Sequence, residues 1–438
     1  MTVEWSFLQE WRTIMNVAAV IVEYNPFHNG HLYQLQTIRK TLGVDYIIAV
    51  MSGDFMQRGI PAVVDKYERC RMALENGADL VFELPVYFSL GSADYFAKGA
   101  VSLIDKLGVV DLLHFGSECG DIAMLTFCAK TLAEETDLYK KQLRIALKEG
   151  VSFPTARARA VHAVAARAPQ TFPLDTIHTL LSTPNNILGI EYIKALLLRK
   201  STITPVTLSR EGGSYHSSAL VSGTFASANA LRTLLQQTRR HSTAHIQQLQ
   251  EFVPTSVYHH LLNTSPQSFV FTDDFSQLLY YKLLHELYTE PQFLLDFYDM
   301  TPQIANTFYK NLCYFSTISA FTLACKSKNL TYTRISRCLM HILLHMKQEI
   351  IDALQACDYC QYARLLGFTK NGQALLKQIK IKASLPIITK PSHALKDFKG
   401  LALASWKADL HASTLYQHIK CAPQTAPNEL TRELIKHS

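Results

Sequence analysis

Two histidines and a glycine follow an apolar run near the start of the chain, in the segment VEYNPFHNGH at residues 22–31. His28 and His31 are three residues apart, and Gly30 between them lets a ligand approach the backbone closely. Imidazole N–H groups donate hydrogen bonds to phosphate oxygens, and the amino end of a helix attracts anions. The spacing therefore favours a phosphate-binding turn suited to nucleotidyl transfer. A pair of metal ligands and a purely structural turn are the alternatives.

The elements around this turn alternate between strands and helices. Apolar runs rich in β-branched residues predict strands at 17–22, 46–51, 79–85 and 109–116, and helical patterns fill 31–42, 66–77 and 92–108. This alternation predicts an α/β fold with a parallel sheet. Since ligands bind at the carboxyl ends of such strands, the histidine turn lies at the ligand-binding edge.

The rest of the chain is largely helical. A return strand is predicted at 203–210, and the polar stretch at 236–248 suggests a boundary. We therefore expect an N-terminal extension at 1–14, a catalytic domain at 15–238 and a mainly helical domain at 239–438. Because Met15 opens directly into the first strand, 1–14 is interpreted as an upstream extension. The alternative is an amphipathic segment that docks on the rest of the protein through Trp5, Leu8 and Trp11.

Composition narrows the class of protein. The net charge of +7 permits an anionic partner such as a nucleotide or RNA without requiring one. Nine cysteines in 438 residues are too sparse for a disulfide-rich secreted domain and indicate reduced thiols in the cytoplasm. No apolar stretch reaches the length of a transmembrane helix, so no membrane association is expected. Cys357 and Cys360 form a single CxxC without a second ligand pair, and no metal site is predicted.

Longer motifs carry a resemblance to a known family. PFHNGH resembles the HxGH variant of the motif shared by nucleotidyltransferases and class I aminoacyl-tRNA synthetases. The strings VEYNPFHNGHLYQL, MSGDFMQRGIPAVVDKYERCRMALENGADLVFELP, FGSE, PNNILGIEY and SREGGSYH together resemble the bacterial tRNA(Met) cytidine acetate ligase family. The resemblance implies a Rossmann-like parallel-sheet nucleotidyltransferase domain followed by a mostly α-helical C-terminal domain.

The same resemblance implies a two-step reaction. Acetate would be activated by ATP, with Mg²⁺, to acetyl-adenylate, and the acetyl group would then pass to N4 of the wobble cytidine of elongator tRNA(Met). The oligomeric state stays open. Two alternatives are a nucleotidyltransferase that adenylylates a small phosphorylated cofactor precursor and a non-catalytic RNA-binding protein.

Site residues are also implied by the resemblance. His28 and His31 would contact the triphosphate and the transition state. The remaining ATP-binding residues would be Val22, Glu23, Tyr24, Asn25, Pro26, Phe27, Asn29, Gly30, Leu32, Tyr33, Gln34, Leu35, Gly116, Asn186, Arg210, Ser227 and Arg232. Asn185 is the alternative to Asn186, and Asn229 stands where the family usually has threonine.

Basic residues offer candidate contacts with tRNA. Arg157, Arg159 and Arg167 lie at helical spacing and would gather into an exposed patch. Arg58 follows the second strand and is a candidate contact for acetate or for an RNA phosphate. A solvated helix face is the alternative interpretation of the patch.

Overall fold

The computed structural model describes residues 15–167, 172–210, 225–240, 243–289, 291–421 and 425–438. The predicted extension at 1–14 and most of the SREGGSYH motif lie outside these ranges. Over the described residues, no helix is long and apolar enough to cross a membrane.

The strands form one large sheet and one small hairpin. They are β1 Val17–Val22, β2 Tyr46–Ser52, β3 Phe55–Met56, β4 Ile60–Pro61, β5 Leu80–Leu84, β6 Leu112–Ser117, β7 Thr204–Ser209, β8 Ala363–Thr369, β9 Ile387–Ile388 and β10 Ile435–His437. The large sheet has the order β10-β8-β5-β2-β1-β6-β7, with β9 beside β8, and β3 pairs with β4. Strands β5, β2, β1, β6 and β7 run parallel, which confirms the predicted α/β fold.

Helices cover both faces of the sheet and make up most of the C-terminal half. They are α1 Asn29–Leu42, α2 Lys66–Glu75, α3 Val86–Ser89, α4 Ala93–Lys106, α5 Ile122–Glu134, α6 Asp137–Lys148, α7 Phe153–Ala165, α8 Leu174–Leu180, α9 Pro184–Arg199, α10 Ala228–Arg240, α11 Thr255–Asn263, α12 Ser276–Thr289, α13 Pro302–Asn311, α14 Ile318–Cys325, α15 Tyr332–Leu343, α16 Gln348–Ala356, α17 Gly372–Lys382, α18 Pro391–Asp397 and α19 Gly400–Lys420.

Alternate residues of the central strands point into two separate cores. Ala18 and Val20 of β1 pack with α1, α2 and α10, whereas Val17 and Ala19 pack with α4, α5 and α9. Because both faces are covered, β1 is apolar throughout and β2 and β5 are mostly apolar, which is why their sequences are nearly continuous hydrophobic runs. Polar residues are found mainly after the carboxyl ends of these strands, and this edge of the sheet is where the candidate site lies.

The C-terminal half also supplies strands to the sheet. β8 pairs antiparallel with β5, and β9 and β10 pair parallel with β8. The sequence reasoning did not identify these strands, since a short apolar run between helices does not reveal its structure by periodicity. The sheet thus draws on both sides of the predicted boundary at 238/239, which stays a prediction.

A buried cluster of charges joins the two halves. Lys66 Nζ lies 2.8 Å from Glu83 Oε1 and 2.8 Å from Glu429 Oε1, and Arg364 pairs with the same two carboxylates at 3.0 and 2.5 Å. All four side chains are buried. Burial raises the pKa of Glu429, but Lys66 and Arg364 outweigh it and lower that pKa to about 2. The cluster is therefore charged at neutral pH, with two cations facing two carboxylates.

We expect Arg364→Met to lower the free energy of unfolding by about 3–5 kcal/mol, because it leaves two buried carboxylates with Lys66 as their shared cation. Urea unfolding at neutral pH measures the change. Arg71→Ala is the control: Arg71 pairs with Glu68 at 3.6 Å with side chains 48% and 34% exposed, and its loss should cost less than about 1 kcal/mol. Equal effects of the two variants would contradict a structural role for the cluster.

Candidate active site

A cavity of about 400 Å³ opens at the carboxyl ends of β1, β6 and β7. The starts of helices α1, α9 and α10 contribute residues to its wall, as do the β3–β4 hairpin and helix α15. Helix starts carry partial positive charge, so several of them at one cavity favour an anionic ligand. The site predicted from the first turn therefore coincides with a cavity of suitable character.

The two histidines cap the start of α1 reciprocally. His28 Nδ1 accepts a hydrogen bond from the N–H of Gly30 at 3.1 Å, and His31 Nδ1 accepts one from the N–H of His28 at 3.2 Å. The rings stack with centroids 3.6 Å apart, and Tyr24 and Phe27 pack around His31. Each ring is thus fixed in position by the backbone that it caps.

This capping determines which ring nitrogen carries the proton. An Nδ1 that accepts an N–H must be unprotonated, so Nε2 carries the proton of a neutral ring. Among the described residues, neither Nε2 has a hydrogen-bond partner, and both histidines line the cavity. The cavity therefore has two neutral N–H donors that are fixed before any ligand arrives.

Burial keeps both rings neutral. It lowers the pKa of His28 to about 3, with Arg210 and Arg232 adding to the effect. Burial, the neighbouring His28 and Arg210 likewise hold the pKa of His31 well below its ordinary value. A proton on either Nδ1 would also remove the acceptor that caps the helix.

Gly30 is required by the space around the first histidine. A Cβ at this position would lie 3.0 Å from Cε1 and 3.1 Å from Nδ1 of His28. Any larger residue would therefore press on the ring that caps the helix. The glycine of the HxGH pattern thus makes room for the histidine itself.

Two arginines and a serine line the side of the cavity formed by β7 and α10. Arg232 donates to the backbone oxygen of Asn25 at 3.0 Å and to Oδ1 of Asn229 at 3.3 Å. Ser227 Oγ accepts from the N–H of Ala230 and so caps α10. Arg210 follows β7 and is exposed. Both guanidinium groups are placed where they could neutralise phosphate charge.

The loop after β6 and the start of α9 form the opposite part of the wall. Gly116 and Asn185 line the cavity. Asn186 is 0% exposed, and its side chain bonds to the N–H of Cys119 and to Thr183 instead. Glu118 caps α9 by accepting from the N–H groups of Asn185 and Asn186. A nucleotide contact of Asn186 stays a prediction, and Asn185 is the residue on the wall.

Most of the predicted nucleotide residues lie together at the cavity. Those on its wall are Val22, Glu23, Tyr24, Asn25, His28, Gly30, His31, Tyr33, Gln34, Gly116, Arg210, Ser227 and Arg232, with Arg58 among the predicted tRNA contacts. Phe27 and Leu35 are instead buried in the core. Pro26, Asn29 and Leu32 do not line the cavity.

The predicted basic patch lies elsewhere. Arg157 pairs with the buried Glu191 at 3.3 Å, and Arg159 pairs with Glu149 at 2.6 Å. Arg167 is exposed. None of the three lines the cavity, and their contact with tRNA stays a prediction.

Several wall residues were missed from the sequence. They include Phe96, Tyr192, Thr333 and Arg337. Tyr192 lies two helical turns after Asn185, so helical spacing could have found it. The two α15 residues come from the other half of the chain, and no local pattern indicates them.

No metal centre built from protein side chains is found in the part of the chain that the structure describes. Within the described ranges, no three His, Cys, Asp or Glu side chains converge. Asp54, which follows β2, is buried, and its carboxylate accepts hydrogen bonds from the N–H of Lys66 and from Ser413 Oγ. Cys360 is buried and Cys357 is exposed.

We expect the ligand-free histidines to remain neutral Nε2–H tautomers from about pH 5 to 8. Nitrogen-detected NMR of histidine-labelled protein checks this, with His28→Ala and His31→Ala to assign the signals. Because an unfolded ring binds a proton near pH 6.5 and these rings do not, stability should fall as the pH drops below 6.5 towards about 3. Titration of either ring near pH 6.5 would contradict the capping.

Comparisons with known proteins agree with this geometry. The family model described as HIGH Nucleotidyl Transferase matches residues 15–430. The tRNA(Met) cytidine acetate ligase of Thermoanaerobacter sp. (strain X514) is 39% identical over 92% of this chain and 95% of its own length. That of Acetivibrio thermocellus is 36% identical over 96% of this chain and 100% of its own length.

Solved structures show that the similarity holds for the fold as well as for the sequence. The apo crystal structure of Thermotoga maritima TmcAL has a TM-score of 0.88 at 32% identity, covering 97% of this chain and 100% of that one. The same protein bound with alpha-thio ATP has a TM-score of 0.86 with the same coverage. The chain belongs to the tRNA(Met) cytidine acetate ligase family, within the HIGH nucleotidyl transferases.

Proposed function

We propose that this protein activates acetate with ATP and transfers the acetyl group to N4 of the wobble cytidine of elongator tRNA(Met). The observation that carries the proposal is the pair of neutral imidazoles, each fixed through Nδ1 and left with an Nε2–H donor, on the wall of a cavity that also contains Arg210 and Arg232. This arrangement suits a triphosphate. The family relatives named as tRNA(Met) cytidine acetate ligases support the substrates.

In the first step, an acetate oxygen attacks the α-phosphorus and the bond to pyrophosphate breaks. Negative charge grows on the bridging and non-bridging oxygens. His28 and His31 donate Nε2–H groups to these oxygens, and Arg210 and Arg232 offset the charge of the leaving pyrophosphate. Because the donors are already oriented by capping, little reorganisation is needed as the charge develops.

In the second step, N4 of cytidine attacks the acetyl carbon and the bond to AMP breaks, with loss of one proton from N4. The amino group of cytosine is a weak nucleophile because its lone pair is delocalised into the ring. Positioning beside the mixed anhydride supplies the missing reactivity. Enclosure in the cavity protects the anhydride from water.

Mg²⁺ enters with ATP in this proposal. Glu23 is the one carboxylate among the described wall residues, and its Oε1 already accepts the N–H of Gln57 at 2.8 Å. The ion would therefore be held mainly by phosphate oxygens, with water and Glu23 completing its ligands. The proposed compartment is the cytoplasm, which agrees with nine free cysteines.

The test is acetate-dependent release of pyrophosphate from ATP, followed by transfer of labelled acetyl to elongator tRNA(Met). Pyrophosphate release that requires acetate, and labelled tRNA on its addition, are expected. Release that requires a phosphorylated cofactor precursor instead would favour the alternative enzyme. Binding of tRNA without either reaction would favour the non-catalytic alternative.

We expect His31→Ala to slow acetyl-adenylate formation by about 10²–10³, because one transition-state donor is lost. Pyrophosphate release at saturating ATP measures the rate. His114→Ala is the control: His114 accepts from Gln34 at 3.1 Å and does not line the cavity. A normal rate in the His31 variant would exclude the assigned role.

We expect Arg167→Ala and Arg159→Ala to weaken tRNA binding while leaving adenylate formation unchanged, because each removes an exposed cation. Filter binding at several salt concentrations measures the affinity. Arg157 is less suitable, since its loss leaves the buried Glu191 without this partner. Unchanged tRNA affinity and salt dependence in both variants would place the tRNA surface elsewhere.

A further inference from the structure

A second group of residues on the cavity wall comes from elements that contain none of the predicted nucleotide-binding residues. Arg58 and Ile60 belong to the β3–β4 hairpin, Ala93 and Phe96 to α4, and Thr333 and Arg337 to α15. These residues combine two guanidinium groups with an apolar surface. A ligand that fits them has a small anionic group and a small apolar group.

The turn of α15 that carries Arg337 is positioned by contacts with the β3–β4 hairpin and with the segment before α4. Ser336 Oγ donates to the backbone oxygen of Gly59 at 2.7 Å, and a Cβ on Gly59 would lie 2.4 Å from the N of Arg337. The hairpin that carries Arg58 therefore touches the backbone of α15. One turn further on, His341 Nε2 lies 2.9 Å from the oxygen of Leu90, just before α4.

The guanidinium of Arg337 is buried but incompletely paired. The residue is 8% exposed, and its Nε has no hydrogen-bond partner among the residues that the structure describes. Its Nη2 lies 3.6 Å from Asp299, a carboxylate that also pairs with Arg334 at 3.0 Å. One carboxylate thus serves two cations, and a buried donor without an acceptor is costly. Because Arg337 lines the cavity, an anion bound at this wall would share its positive charge with Asp299.

We propose that Arg337, together with Arg58, binds the carboxylate of acetate, while the methyl group packs against Ile60, Ala93 and Phe96. This inference rests on the proposed function and names the acetate site within it. A guanidinium that holds one carboxylate oxygen leaves the other free to attack the α-phosphorus. It also offsets the repulsion between acetate and the triphosphate.

The low exposure of Arg337 favours acetate over an RNA phosphate as its ligand. A side chain with 8% exposure is accessible to a two-carbon acid inside the cavity but poorly accessible to a polynucleotide backbone. The apolar neighbours also favour a methyl group over a phosphodiester. An RNA phosphate is therefore treated as an outcome of the test.

The experiment compares wild type with Arg337→Ala and Arg337→Lys. The KM for acetate in pyrophosphate release should rise about 10- to 100-fold in Arg337→Ala and less in Arg337→Lys, because a charge-assisted hydrogen bond is lost. Calorimetry with a non-hydrolysable ATP analogue should give an unchanged Kd. Transfer to tRNA from chemically prepared acetyl-adenylate should also be unchanged, since it bypasses acetate binding.

Arg334→Lys is the matched control, because Arg334 shares Asp299 but does not line the cavity. It should leave the acetate KM unchanged. If Arg337→Ala fails to fold, Arg58→Ala is measured in the same assays and should also raise the acetate KM.

Three results would overturn the inference: an unaltered acetate KM, a raised KM for tRNA alone, or weaker binding of the ATP analogue. The second would indicate an RNA phosphate, and the third a nucleotide phosphate. A wild-type protein without acetate-dependent pyrophosphate release would refute the proposed function. An active wild type with an unaltered acetate KM in the variants would refute the acetate site alone.

Discussion

The architecture of the site depends on two backbone N–H groups at the start of α1 that are satisfied by imidazole rings. Helix starts usually use serine, threonine or aspartate for this purpose. Here Nδ1 of His28 and Nδ1 of His31 accept these hydrogen bonds, and the same contacts fix the tautomer and the orientation of each ring. The helix start and the proposed transition-state donors are therefore one structure, and disturbing either disturbs both.

The C-terminal half contributes directly to the sheet and to the cavity wall. It adds strands beyond β5, pairs Arg364 and Glu429 with Lys66 and Glu83, and sends α15 to the cavity wall. Removing charges from water is costly, so such a cluster is stable only when all its members are present. The sheet, the charged cluster and the cavity are all incomplete without residues from both halves.

Sequence reasoning succeeded where a physical constraint acts locally. Strands buried on both faces are mostly apolar, so β1, β2, β5 and β6 were predictable, and parallel strands place their following loops at one edge. That is why the residues after β1 and Gly116 were found together. The HxGH spacing indicated the phosphate turn, although the mutual capping of its rings could not be foreseen from spacing alone.

Sequence reasoning failed where contacts join distant parts of the chain. Strands β8, β9 and β10 are short, and their pairing depends on a sheet made elsewhere in the sequence. Arg337 reaches the cavity through the packing of α15 on the hairpin, which leaves no local pattern. The choice between Asn185 and Asn186 required the rotation of α9 to be known, since adjacent helical residues face different directions.

The late position of β8 has a consequence for synthesis on the ribosome. β5 is complete at Leu84, but its outer neighbour ends only at Thr369. While the intervening residues are being made, the nascent polypeptide carries a largely apolar strand with one unpaired edge, a surface prone to association with other chains. The pairing of β5 with β8 therefore has to wait until most of the chain has been synthesised.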